Sequence, residues 1–183
     1  MALAQEKIYT EEDYYNIPKD VRAELIDGQI YYQAAPSRIH QKISSVLNAV
    51  IRNYIQSKNG LCDVYTAPFA VKLFNDSKTI VEPDISVICD KNKLTDKGCS
   101  GAPDWIIEIV SPGNPGHDFI YKLKLYADAG VREYWIIDPR SQTVLVYYPE
   151  QQDFGVMTYS FRDKIKVNIY EDFTIDFQTL DLY

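Results

Sequence analysis

Two carboxylates stand in or beside stretches of the sequence that otherwise have the character of buried strands. Asp84 follows Pro83 and precedes an apolar run, and Glu108 lies inside the run Trp-Ile-Ile-Glu-Ile-Val at 105–110. An unpaired charge in such an environment is very costly, so each carboxylate needs a partner. A divalent cation with a phosphate behind it is one such partner, and a buried salt bridge is the alternative.

The alternation of side chains along 105–110 gives Glu108 a direction. Ile106, Glu108 and Val110 share one face of the predicted strand, and the residues between them share the other. If the strand that follows Asp84 is a neighbour, both carboxylates could converge on one ion. Oxygen ligands, only two histidines and no closely spaced thiols favour a hard cation such as Mg²⁺ or Mn²⁺.

Hydrolysis of a phosphodiester also needs a group that orients the water and offsets the developing charge, for which a lysine ammonium is suited. The helix predicted after the turn at 111–116 carries Asp118, Lys122 and Tyr126 at spacings of four, and therefore on one side. Lys124 flanks the apolar face of that helix on its other side. Helix geometry alone leaves the choice between Lys122 and Lys124 open.

The elements that must position these residues can be predicted from periodicity and turn chemistry. Thr10 is a candidate N-cap, Asp27-Gly28 between two apolar runs predicts a hairpin, and Asp118 is a candidate cap of the later helix. An amphipathic helix is expected at 36–59, and 90–102 has the composition of a polar surface loop. The remaining predicted strands are 61–69, 70–74, 80–89, 105–110, 131–138, 143–148, 156–161 and 164–169.

This order predicts an α/β or α+β fold with a curved mixed sheet, the long helix packed on it, and extra C-terminal strands. At 183 residues the chain is expected to be a single domain, 1–183. Cys62, Cys89 and Cys99 are odd in number and are expected to be free thiols in a reducing cytoplasm. No signal peptide or apolar stretch long enough to span a bilayer is expected, and a cytoplasmic location is therefore predicted.

At this point the sequence resembles a known family, through several short motifs that appear in the family's order. They are Glu24-Leu25-Ile26-Asp27-Gly28, His40-Gln41, Pro83-Asp84, Gly101-Ala102-Pro103-Asp104, Glu108-Ile109-Val110-Ser111-Pro112, Asp118 with Lys122 and Tyr126, Gly130-Val131-Arg132-Glu133-Tyr134-Trp135, and Asp138-Pro139. The set is similar to the Uma-two family of restriction-endonuclease-like proteins, within the PD-(D/E)XK nuclease superfamily.

The resemblance implies a restriction-endonuclease-like core and a Mg²⁺- or Mn²⁺-dependent site that cleaves DNA. It makes Asp84 and Glu108 the metal-binding acids and brings the backbone carbonyl of Ile109 towards the same ion. The general superfamily pattern has a lysine where this chain has Val110, and the family supplies the substitute from the following helix, at Lys122.

Two further residues match the family's upstream positions. Glu24 falls at an acidic position and His40 at a helix histidine, where each is expected to partner the metal or the water. A homodimer is expected by analogy with nucleases that cut both strands.

Each of these residues also has a purely structural interpretation. Asp84 could open a strand, Glu108 could pair with Lys122, Glu24 near a hairpin could be a solvated acid, and His40 could be a packing residue. The net charge of −7 argues against a bulk electrostatic grip on nucleic acid and favours a second hypothesis, a non-catalytic nucleic-acid- or protein-binding module. A third, glycoside hydrolysis by a carboxylate pair, leaves Lys122 without a role.

Overall fold

The computed structural model describes residues 7–111, 117–149 and 155–183, with the backbone alone at 117–120. Within these residues two six-stranded sheets and a small two-stranded sheet are packed with helices. The α-helices are α1 (Glu11–Tyr15), α2 (Arg38–Ser57) and α3 (His117–Ala129). The strands are β1 (Ala23–Ile26), β2 (Gln29–Tyr32), β3 (Asp63–Thr66), β4 (Val71–Lys72), β5 (Ile80–Val81), β6 (Ile85–Ile88), β7 (Leu94–Thr95), β8 (Gly98–Ser100), β9 (Trp105–Ile109), β10 (Glu133–Asp138), β11 (Thr143–Tyr147), β12 (Val156–Ser160), β13 (Lys164–Lys166) and β14 (Thr174–Asp176).

The first sheet has the strand order β2-β1-β5-β4-β8-β7 and begins with the predicted hairpin. Asp27 and Gly28 both have positive φ, 49° and 77°, as a tight two-residue turn between right-twisted strands requires. The turn sets the β1–β2 register, in which Glu24 lies opposite Tyr31. The short helix α1 begins where predicted, since Thr10 and Asp13 form a reciprocal capping box.

The second sheet has the strand order β12-β11-β10-β9-β6-β3, and only its β9–β10 pair is parallel. Its mixed character and the long helix beside it agree with the predicted α/β or α+β fold, and the structure is of the α+β kind. Helix α2 begins after Ser37, whose hydroxyl accepts a hydrogen bond from the backbone N–H of His40. The apolar stripe of α2, which includes Ile43, Leu47 and Ile51, is fully buried in the core on one side of this sheet.

The two faces of β9 enter two different cores, as the predicted alternation requires. Trp105, Ile107 and Ile109 pack with the stripe of α2, whereas Ile106 and Val110 pack with residues of α3 and of the first sheet. Glu108 shares the face of Ile106 and Val110. Its carboxylate is therefore directed to the layer that contains α3, away from α2.

The predicted strand 80–89 is wrong as a single element. It is divided into β5, which belongs to the first sheet, and β6, which belongs to the second. Pro83 lies between them and has no N–H to contribute to a ladder, which explains the break. Asp84 therefore lies where the chain passes from one sheet to the other.

The interpretation of 90–102 as a polar surface loop was also wrong in part. The short strands β7 and β8 form one edge of the first sheet, and Cys99 within β8 is buried. Two- and three-residue strands are too short to give a periodic signal. β7 and β8 pair with each other, and β8 joins the sheet through β4, which is distant in the sequence.

The C-terminal strands do not form one continuous meander. β11 and β12 extend the second sheet, but β13 pairs with β14 in a separate two-stranded sheet. The strand at 174–176 was not predicted. Ile165 of β13 and Ile175 of β14 lie opposite each other, and both are buried in the core on the α2 side of the second sheet. The small sheet therefore covers that core.

The expectation of free thiols was wrong for two of the three cysteines. Cys62 and Cys89 form a disulfide, while Cys99 is a free, buried thiol. The pairing follows from the antiparallel register of β3 and β6, in which Asp63 lies opposite Ile88, so that the next residue outward on each strand is a cysteine. A separation of 27 residues in the sequence gave no local sign of this contact.

Candidate active site

Asp84 is held by donors from two different elements. Its Oδ2 accepts a hydrogen bond from the backbone N–H of Ile109 at 2.8 Å and lies 2.9 Å from Nε2 of His40 on α2. Only 9% of the residue is exposed. The aspartate therefore joins the end of β9 to α2, which fixes its orientation at the sheet-to-sheet crossing.

Glu108 lies beside Asp84. The N–H that Asp84 accepts belongs to Ile109, the residue that follows Glu108, and the Asp84 charge acts on the Glu108 carboxyl and raises its pKa. The structure thus brings together the two acids that the sequence analysis identified separately.

Lys122 reaches this pair from α3. Its Nζ is 3.0 Å from Oε1 of Glu108 and 2.9 Å from Oε2 of Glu24 on β1, and the lysine is only 3% exposed. Lys124 is exposed on the same helix. The tertiary structure therefore makes the choice that helix geometry left open, and it brings Lys122 to the acids.

Glu24 is a buried residue, and its interpretation as a solvated acid near a hairpin is wrong. Besides Lys122, its Oε1 accepts a hydrogen bond from the backbone N–H of Glu82 at 2.9 Å. His40 is buried as well, and its Nδ1 has no hydrogen-bond partner among the described residues. Both residues thus belong to the same polar cluster as Asp84, Glu108 and Lys122.

The sequence analysis placed Tyr126 on the side of the helix that carries Lys122, but it did not foresee the contact that Tyr126 makes. Its hydroxyl donates to Oε1 of Glu108 at 2.8 Å, and the side chain is fully buried. The spacing of four residues from Lys122 was the available signal, because both side chains leave one side of α3. The side chain of Asp118, four residues earlier, and the predicted turn beyond Ser111 lie outside what the structure describes.

The cluster carries more acidic than basic groups, and this affects the proton affinity of Glu108. The pKa of Glu108 is raised to about 7: burial is the largest cause, the Lys122 ammonium lowers the pKa, and the Asp84 and Glu24 carboxylates raise it. Burial, followed by the Glu108 charge, also raises the pKa of Tyr126 well above its usual value. The Tyr126 hydroxyl is therefore a neutral hydrogen-bond donor at any physiological pH.

One oxygen of each facing carboxylate remains available. The hydrogen bonds of Asp84 with the described residues all involve Oδ2 and those of Glu108 all involve Oε1, which leaves Oδ1 and Oε2 without a partner there. Neither oxygen is among the solvent-inaccessible polar atoms that lack a hydrogen-bond partner in the described residues, so both are at least partly accessible to solvent. Two free oxygens in an acid-rich cluster fit the oxygen preference of Mg²⁺ and Mn²⁺.

A cation at this position would not have a full set of side-chain ligands. Among the described residues, no three His, Cys, Asp or Glu side chains form a group able to hold a metal. Mg²⁺ in proteins commonly keeps several waters and takes only one or two carboxylates. The donor set of this cluster therefore suits a hydrated Mg²⁺ better than a fully enclosed metal.

No helix in the described part of the chain has both the length and the apolar character needed to cross a bilayer.

The comparisons with known proteins agree with the fold and with the order of the motifs. The solved structure of a putative nuclease belonging to DUF820, from Anabaena variabilis, has a TM-score of 0.77, covering 93% of this chain and 96% of that one at 23% sequence identity. It shows the same restriction-endonuclease-like fold. The uncharacterized protein slr1290 of Synechocystis is 25% identical over 156 residues, which are 84% of this chain and 80% of the relative. The family described as "Uma2: Putative restriction endonuclease" matches residues 11–178, and the chain therefore belongs to the Uma2 family.

Proposed function

We propose that this protein is a metal-dependent endonuclease that hydrolyses phosphodiester bonds in DNA at a site formed by Asp84, Glu108 and Lys122. The observation that carries the proposal is the convergence of the two carboxylates and the ammonium in one buried cluster, with a free oxygen on each carboxylate. A purely structural ion pair would need one acid for one lysine. Here the three buried acids Glu24, Asp84 and Glu108 have only Lys122 and His40 as basic neighbours among the described residues, and this excess of acidic groups favours a cation.

The metal would be held by the free oxygens of Asp84 and Glu108, together with the backbone carbonyl of Ile109. When bound, a divalent cation offsets the charge of the phosphate and lowers the pKa of the attacking water. The remaining work falls to the protein's own groups. His40 and the Ile109 N–H orient Asp84, and the Tyr126 hydroxyl orients Glu108.

Lys122 has the role of the ammonium in this proposal. Its contacts with Glu24 and Glu108 fix Nζ beside the acids, so its charge needs no reorganisation during the reaction. From there it can donate a hydrogen bond to the water or to a non-bridging phosphate oxygen. Glu24 acts through Lys122 and is a positioning residue.

Nicking of supercoiled plasmid in Mg²⁺ or Mn²⁺ tests the proposal. Wild type is expected to nick, whereas Asp84→Ala and Lys122→Ala should lose roughly 100-fold or more of the rate, the usual cost of removing an electrostatic group from an active site. Lys124→Ala is the matched control, because it removes an exposed lysine from the same helix. Equal nicking by all four proteins would indicate a contaminating nuclease, and no nicking by folded wild type would favour the non-catalytic binding module.

Calorimetric titration with Mn²⁺ tests the metal site without relying on turnover. Wild type should release or absorb heat with a saturable isotherm that is lost in Glu108→Ala. Identical isotherms for the two proteins would contradict a site at Glu108. Size-exclusion chromatography with light scattering tests the accompanying proposal of a homodimer, which rests on analogy with nucleases that cut both strands.

A further inference from the structure

An exposed aromatic residue lies next to the buried acid–lysine cluster. Tyr31 on β2 is directly opposite Glu24 in the β1–β2 register. Side chains in such a pair project from the same face, with Cβ atoms about 4.5–5.5 Å apart. Because β2 is the outer strand at this edge of the first sheet, the ring of Tyr31 flanks the cluster from the solvent side.

The ring has no evident structural task. Tyr31 is 54% exposed, and among the described residues it has neither an aromatic ring partner nor a side-chain hydrogen bond. Exposed aromatic rings of this kind contribute little to folding. They are common where a protein binds a flat ligand.

A second tyrosine lies beside it, on the helix that carries the lysine. Tyr121 immediately precedes Lys122, is 44% exposed, and donates its hydroxyl hydrogen bond to Asp27 in the β1–β2 turn. Burial, the Asp27 carboxylate and the nearby Tyr31 hydroxyl together raise the pKa of Tyr121 to about 12. Tyr121 is therefore anchored to the turn of the β1–β2 hairpin that carries Tyr31.

We propose that Tyr31, with Tyr121 beside it, forms a stacking platform for an unpaired nucleobase adjacent to the phosphate in the site. The inference rests on the proposed function and specifies its substrate: single-stranded DNA, or duplex DNA that is locally unpaired. In a duplex both faces of every base are covered by its neighbours, so a tyrosine ring can stack only on a base that is unpaired or extruded.

Because the protein is acidic, stacking is an important possible source of affinity for nucleic acid. A net charge of −7 offers little general attraction for phosphates. Stacking on a neutral aromatic ring, in contrast, needs no positive charge and tolerates any base sequence. The platform would supply affinity that the electrostatics of the chain do not.

Fluorescence anisotropy with labelled oligonucleotides tests the platform independently of cleavage. The full chain is titrated with a thymidine single strand, the corresponding duplex and an abasic single strand, in EDTA and again in Ca²⁺. Tyr31→Ala should weaken binding of the thymidine strand by about 5- to 150-fold, the range reported for loss of one stacked base. Tyr31→Phe should bind like wild type, since it keeps the ring.

Tyr32→Ala is the matched control. Tyr32 is the next residue on β2, is 71% exposed, and projects from the opposite face of the strand, away from Glu24. It should stay within about twofold of wild type, because it lies outside the platform. The wild type should also prefer the thymidine strand over both the duplex and the abasic strand.

Several results would overturn the platform. They are equal binding by Tyr31→Ala and wild type, equal losses in Tyr31→Ala and Tyr32→Ala, no binding of the single strand by wild type in either buffer, or a change of oligomeric state in Tyr31→Ala, which would mark β2 as an interface between copies. Failure of the proposed nuclease function can be distinguished from failure of the stacking platform. If the protein binds single strands through Tyr31 but never nicks plasmid, the platform proposal stands and the nuclease proposal is wrong.

Discussion

The ammonium of Lys122 lies between two buried carboxylates, Glu24 and Glu108, and contacts both within 3.0 Å. Removing one member of a buried ionic cluster leaves the opposite charge uncompensated, which commonly costs about 3–5 kcal/mol in stability. The same contacts that fix the lysine for chemistry thus make it important for folding. Activity and stability of its variants must therefore be measured together.

Lys122→Met tests this dual role, because it keeps the length of the side chain and removes the charge. We expect the free energy of unfolding, measured by urea denaturation at neutral pH, to fall by roughly 3 kcal/mol. Lys124→Met, at an exposed position of the same helix, should change it by less than about 0.5 kcal/mol.

A second substitution distinguishes charge imbalance from lost packing. In the Lys122→Met background, Glu24→Gln should recover part of the lost stability, since it removes one of the uncompensated charges. In the wild-type background, the same substitution should destabilise. Additive losses in the double variant would show that the two side chains do not interact.

At the scale of elements, the outer strands of the first sheet depend on one close backbone approach. Gly98 at the start of β8 has φ +133°, and a Cβ built there would lie 2.0 Å from the carbonyl oxygen of Ala70. The neighbouring Cys99 N–H donates to that same carbonyl at 2.9 Å. Only glycine has both the conformation and the clearance that this contact requires.

Gly98→Ala is therefore expected to destabilise the protein by roughly 2–5 kcal/mol, from backbone strain and from forced separation of the two segments. Thermal or urea denaturation measures the loss. Gly155→Ala is the control, because a Cβ at that glycine meets no atom within 4 Å. Similar stability of the two variants would mean that this sheet edge adjusts freely.

At the scale of the whole molecule, Glu133 connects the second sheet to the C-terminal region. It is fully buried, and its carboxylate accepts hydrogen bonds from Trp135 Nε1 at 2.7 Å and from the backbone N–H groups of Asn168 and Ile169 at 2.7 and 3.0 Å. Burial raises the pKa of Glu133 to about 7, although these donors favour the charged form.

This raised pKa predicts the direction in which stability changes with pH. Between about pH 4.5 and pH 7 the folded protein retains a proton at Glu133 that the unfolded chain has released, so the free energy of unfolding falls as the pH rises through that window. The free energy of unfolding lost across this window is on the order of 3 kcal/mol, and the loss is complete above about pH 7. Urea denaturation at several pH values between these limits measures it.

Glu133→Gln should flatten this dependence, because an amide does not titrate. Its stability at about pH 5 should also be lower, since the amide N–H₂ can meet the indole donor of Trp135. Glu108, whose pKa is also raised, contributes a slope of the same sign in both proteins. The exposed Glu171→Gln is the control, and an unchanged slope in Glu133→Gln would contradict the assignment.

The sequence by itself determined the features that depend on local periodicity and turn chemistry. The β1–β2 hairpin follows from Asp27-Gly28, the start of α2 from Ser37, and the direction of Glu108 from strict alternation along β9. Each is set by a few neighbouring residues, whose backbone preferences act before any distant contact forms. The order of short motifs was also sufficient to indicate the family.

Only the tertiary structure decided which distant residues meet. The selection of Lys122 over Lys124, the burial of Glu24 and the Cys62–Cys89 pairing all depend on strand register and helix docking between segments far apart in the sequence. The break within 80–89 lies at Pro83 and is local, but the assignment of β5 and β6 to two different sheets depends on such distant contacts. Such contacts are set by the burial of whole faces against one another, and a charged residue can be buried when its partners arrive from other elements.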